Sequence, residues 1–136
     1  MRIVLLLLPL LIFGCSDDRY TERQLYNIAV KVEPGIKIIL PKSMDEGVKC
    51  EVYKTAGCIG GKMARLRKVI ITLVEFETEE QAKEAAIKID QYHIKNWVLD
   101  DVVDEPVLES FVAQAFPKAV RPYQEHLKKM KKKGKN

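Results

Sequence analysis

Hydrophobic residues run along this chain in three rhythms: one unbroken stretch at the start, then helical and strand spacings in alternation. Ile3 to Phe13 is apolar throughout. Further on, Thr21-Glu22-Arg23-Gln24 has the Thr-x-x-Gln form of a helix capping box, where two side chains satisfy free backbone N–H groups. Leu25, Ile28, Ala29 and Val32 follow at i, i+3, i+4 and i+7, one face of a helix. Tyr26, Ile28, Val30 and Val32 also alternate with Asn27, Ala29, Lys31 and Glu33, so a strand fits the same segment. The capping box favours the helix, and Pro34-Gly35 ends the element in either case.

Ile36 to Leu40 is rich in β-branched residues and stops at Pro41, which predicts a strand. Ser43 to Gly47 is a turn. Val48, Cys50 and Val52 alternate with Lys49 and Glu51 and predict a second, short strand. Gly57, Gly60 and Gly61 around Cys58 predict an irregular loop. Val69 to Phe76 is apolar at almost every position, as in a central strand covered on both faces. Thr78-Glu79-Glu80-Gln81 is a second capping box, and Ala82, Ala85, Ala86 and Ile89 form the stripe of a helix ending near Asp90.

Asn96 to Leu99 predicts a further strand. Asp104 is placed to cap a helix with Pro106 in its first turn, buried through Leu108, Phe111, Val112 and Ala115 and stopped by Pro117. Pro122 opens a last helix with Tyr123, Leu127 and Met130 on one side, fraying into residues 131–136. The order predicts an α+β fold: a small sheet of about four strands with helices on one face, partly ferredoxin-like. The domain spans 21–127, followed by a basic tail at 128–136.

The opening run changes the picture of where this domain works. Arg2 precedes it, Gly14-Cys15 closes it, and the charged segment Ser16-Asp17-Asp18-Arg19 follows. A cationic start, a short apolar core and a small residue form the layout of a cleavable export signal. About eleven apolar residues fall well short of the roughly 20 that span a bilayer. Ile12-Phe13-Gly14-Cys15 resembles the lipobox of bacterial lipoproteins, with Phe13 where that family usually has a smaller residue. The resemblance implies a signal peptide at 1–14, lipid on Cys15, a tether at 15–20, and a membrane partner reached through that lipid. Ser16, in place of the aspartate that resembles an inner-membrane retention signal, favours the outer membrane where the organism has one.

Once Cys15 is the lipid acceptor, Cys50 and Cys58 remain as an even pair in an exported domain, and a disulfide is expected. Charge is segregated. Residues 118–136 hold eight basic side chains against Glu125, whereas residues 15–117 hold 14 basic and 18 acidic ones. Lys128, Lys129, Lys131, Lys132, Lys133 and Lys135 therefore form a local positive field suited to an anionic surface. A second basic cluster, Lys62, Arg65, Arg67 and Lys68, reads as a solvated hairpin rim.

Signs of catalysis are sparse. His93 and His126 are the only histidines, with no spacing that starts a zinc site. Neither Ser43 nor Ser110 lies within Gly-x-Ser-x-Gly. A thiol nucleophile at Cys50 or Cys58 beside His93 would be consumed by the disulfide. Asp100, Asp101, Asp104 and Glu105 lack the spacing and central glycine of a calcium loop, and no metal or cofactor is expected. Val74-Glu75-Phe76 with Glu79, Glu80, Ala82 and Ala85 resembles the third strand and second helix of RNA-recognition domains over about 25 residues. The preceding positions Val69 to Leu73 hold no aromatic and no glycine at the motif's places, so no nucleic-acid binding is expected. Trp97 reads as packing rather than a sugar platform.

The expected function is a non-enzymatic envelope lipoprotein that binds or assembles with an envelope protein or an anionic envelope polymer. The alternative is a small enzyme or accessory domain acting on cell-wall material. A pocket with convergent polar groups favours the enzyme. An open sheet edge or apolar patch favours the binding module.

Overall fold

The computed structural model describes residues 18–135. Thr21 settles the first element as a helix, α1 (Glu22–Val32). Its hydroxyl accepts from the Gln24 backbone N–H, and the Gln24 side chain accepts from the Thr21 N–H. Leu25 and Ala29 face inward. Thr78 and Gln81 repeat the same box at the start of α2 (Glu79–Ile89), and Asp90 ends that helix in the left-handed region. α3 (Pro106–Ala115) buries Leu108, Phe111, Val112 and Ala115 as expected, but its cap is Glu105 rather than Asp104. Glu105 leaves Pro106 at the first helical position, where a missing N–H costs nothing.

Five strands form one sheet: β1 (Lys37–Ile39), β2 (Cys58–Leu66), β3 (Val69–Phe76), β4 (Tyr92–Ile94) and β5 (Trp97–Asp100). Their order is β1-β2-β3-β5-β4, with every neighbouring pair antiparallel. β3 and β4 both run opposite to β5, so β3–α2–β4 is a split β-α-β unit with β5 between its strands. That unit is the ferredoxin-like part of the α+β fold.

Two strand expectations are corrected. The segment around Val48 to Val52 is not a strand; Cys50–Tyr53 is a short 3-10 turn. The second strand instead passes through the glycines read as a loop. Gly61 sits in β2 because a Cβ there would lie 2.6 Å from the Leu73 carbonyl oxygen and 2.8 Å from Val48 Cγ1. Glycine at this point permits close approach rather than a turn. β4, only three residues long, brings the count to five rather than about four.

Helices cover both faces of the sheet rather than one. Ile71, Leu73, Trp97 and Leu99 pack with α1 and α3 in one apolar cluster. Val74, Phe76 and Val98 face the other way, against Ala82, Ala85 and Ala86 of α2 and against Tyr53. The small residues of α2 let it lie close on the sheet. This alternation is why β3 is apolar at nearly every position. The Cys50–Cys58 disulfide, Cα–Cα 5.6 Å, ties the turn that carries Tyr53 to the first residue of β2. Finally, α4 (Tyr123–Lys133) continues through the lysines to Lys133, past the point where fraying was expected.

Candidate functional site

The two ends of the sheet differ. At β4, His93 N–H donates to the Val120 carbonyl at 2.9 Å and Val120 N–H returns the bond at 3.0 Å, which closes that edge. At β1 no strand pairs with the outer edge among the described residues. Leu40, directly after β1, is 79% exposed. An unpaired strand edge offers backbone donors and acceptors to another chain.

Beneath β1, between α1 and the sheet, lies a groove of about 400 Å³ lined by Leu25, Tyr26, Ile36, Ile38, Leu73 and Trp97. The small side chains Ala29 and Ala64 also line it and help leave it open. Polar groups are confined to its rim, where Lys62 pairs with Glu22 at 2.8 Å. A smaller hollow of about 210 Å³, lined by Ile39, Leu40, Val48 and Met63, flanks the same strand. Ile38 lines both depressions and Ile39 the smaller one, so hollows flank β1 where an added strand would place its side chains.

The chain leading into α1 is anchored beside this groove. Tyr20 N–H donates to Asn96 Oδ1 at 2.7 Å, and Trp97 Nε1 donates to the Tyr20 carbonyl at 2.8 Å. Lys95 lies 4.4 Å above the Tyr20 ring, a cation–π contact. Asn96 is fully buried, and its amide also donates to the Phe76 carbonyl at 3.2 Å. Trp97, 2% exposed, is a core residue rather than a platform for sugar.

The other residues singled out in the sequence fall as follows. Cys50 and Cys58 are bonded to each other. Cys15 lies outside the described residues. Lys128, Lys129, Lys131, Lys132 and Lys133 project from α4 and Lys135 follows it, all exposed. The acidic cluster is held within the fold. Asp100 accepts from the Tyr53 hydroxyl at 2.8 Å, and Asp101 accepts from the Thr72 hydroxyl at 2.8 Å. Burial pushes the Asp100 carboxyl up, and burial together with Asp100 pushes the Tyr53 phenol up. Among the described residues no group of three His, Cys, Asp or Glu side chains is placed to hold a metal ion.

His93 is buried in β4, and desolvation lowers its pKa, which favours the neutral imidazole. His126 is exposed on α4. Of the second basic cluster, Lys62 pairs with Glu22 and Arg67 with Glu33 at 3.6 Å, so two of its charges are spent on α1. The groove and the open edge were not foreseen. Ile36 to Leu40 is legible as a strand, but its solitary position at the end of the sheet depends on pairing far along the chain. Compared with protein-family models, with curated proteins and with solved structures, the chain matches none.

Proposed function

We propose that this chain is a non-enzymatic, lipid-anchored envelope protein that binds another envelope protein. The observation that carries the reading is the open outer edge of β1 above an apolar groove with polar groups only at its rim. An extended segment of a partner added along β1 gains main-chain hydrogen bonds. Its alternate side chains enter the depressions beside Ile38 and Ile39. The export signal and lipobox supply the location, and Cys15 the membrane attachment.

The test is a photo-crosslinking amino acid placed at Leu40 in intact cells, with the same group at Glu84, exposed on α2, as the comparison. A discrete adduct of one size at Leu40, absent at Glu84, is the expected result. No adduct at Leu40, or the same adducts at both sites, contradicts docking at β1.

A further inference from the structure

The C-terminal helix carries five lysines, and no ion pair joins any of them to an acid among the described residues. Glu125 stands in its first turn and Lys131, Lys132 and Lys133 in its last, the arrangement that the helix dipole favours. The dipole thus favours this helix with its positive charge left unneutralised. It is also amphipathic. Tyr123, Leu127 and Met130 recur at i, i+4 and i+7 on one stripe. Tyr123 and Leu127 are half-buried where α4 meets α2, and Met130 at the far end is 58% exposed. A shallow apolar hollow beside Met130 is walled by Lys129, Lys132 and Lys133 together with His126. Lysine stems of this kind lie along an apolar surface while their ammonium groups reach outward.

The placement of this helix matters as much as its composition. Val120 is bonded to His93 of β4, and Arg121 grips Asp90 through two hydrogen bonds of 2.8 and 2.6 Å. Tyr20, the end of the N-terminal tether, is bonded to Asn96 and Trp97, a few residues further along the same β4–β5 hairpin. The chain thus enters α4 from the β4 edge of the sheet, while Tyr20 is held over β5 beside the groove. β1 lies at the edge opposite β4, four strand spacings or about 19 Å away.

We propose that α4 is a second membrane contact, lying on an anionic bilayer and orienting the domain so that β1 points away from the surface. The orienting role deepens the lipid-anchored reading above and rests on it; the contact between helix and bilayer does not. Clustered lysines are drawn to anionic head groups, each tightening binding roughly fivefold. Met130, the exposed end of the stripe, and the apolar hollow beside it select a bilayer over a soluble polyanion, which offers nothing for them to enter.

The test uses the full chain with Cys15→Ser in every arm, so that no acyl group contributes, and vesicles of either phosphatidylcholine alone or phosphatidylcholine with phosphatidylglycerol. The apolar segment at the start of the chain acts on both vesicle types, so the ratio of the two affinities isolates charge. We expect a preference of at least about 100-fold for anionic vesicles. Replacing the five helix lysines by glutamine, a residue of similar helix propensity, removes it. With the lysines intact 1 M salt removes it too, since screening then acts within about 3 Å. Met130→Gln lowers anionic-vesicle binding severalfold while leaving thermal unfolding unchanged. A preference that survives both salt and lysine replacement overturns the proposal. Equal binding to soluble polyphosphate, with no effect of Met130→Gln, replaces the bilayer by an anionic polymer and overturns it as well.

Discussion

Trp97→Ala lowers the free energy of unfolding by about 3–5 kcal/mol, the range for removing a large aromatic side chain from a core. Trp97 is the largest buried side chain among the described residues. It sits in β5 opposite Ile94 and Glu75, faces α1 and α3, and forms part of the groove wall. It also makes a bond that no aliphatic residue replaces, from Nε1 to the Tyr20 carbonyl. Truncation therefore opens a cavity and frees the segment that joins the tether to α1. Trp97→Phe keeps most of the apolar volume but leaves the Tyr20 carbonyl without its donor. It should cost less than the alanine change and still loosen Tyr20. Denaturant unfolding measures the first effect, and amide exchange at Tyr20, whose N–H is bonded to Asn96, measures the second. A loss below about 1 kcal/mol for Trp97→Ala would contradict its place in the core.

Removing the Cys50–Cys58 bridge costs about 2–3 kcal/mol on the chain-entropy estimate for so short a loop. The effect is local in origin but reaches the second core. The bridge holds the 3-10 turn whose Tyr53 meets Phe76 edge-to-face at 6.4 Å and hydrogen-bonds Asp100. Cys50→Ala with Cys58→Ala releases that turn, so Tyr53 and Phe76 lose part of their packing together. Intact-mass measurement of the native chain should show two hydrogens fewer than the reduced form. Thermal unfolding of the double variant should fall accordingly. Free thiols at both positions would refute the bridge.

What the sequence discloses and what it conceals follow from the range of the forces involved. Thr21 with Gln24, and Thr78 with Gln81, mark helix starts because capping is decided within four residues. The buried stripe of α3 is equally legible, since Leu108, Phe111, Val112 and Ala115 repeat at helical spacing. β3 announces both of its covered faces by being apolar at nearly every position. The disulfide is expected from the cysteine count and the proposed export rather than from geometry. By contrast, β2 is hidden because Gly60 and Gly61 are usual turn residues. Only the packing of Gly61 against the Leu73 carbonyl and Val48 explains a glycine inside a strand. Tyr92 to Ile94 is too short to display a period, and it becomes a strand through bonds to β5 on one side and Val120 on the other. The side chosen by α2 is likewise a tertiary outcome, because an alanine-rich stripe fits either face of a sheet. The extent of α4 is masked by its charge: a lysine run reads as solvated tail, whereas these lysines occupy the helix end where the dipole favours them. The open edge and the groove arise only when Lys37–Ile39 pairs with residues 63–65 and nothing joins its other side among the described residues.

Lipid on Cys15 is the claim on which location, the class of partner and the orienting role of α4 all depend. Metabolic labelling with a tagged fatty acid, followed by isolation of the protein from the membrane fraction, measures it directly. The account predicts label on the wild-type chain, with a mature N-terminus at Cys15, and no label on Cys15→Ser. An unlabelled wild-type chain, or equal label on the variant, would contradict it.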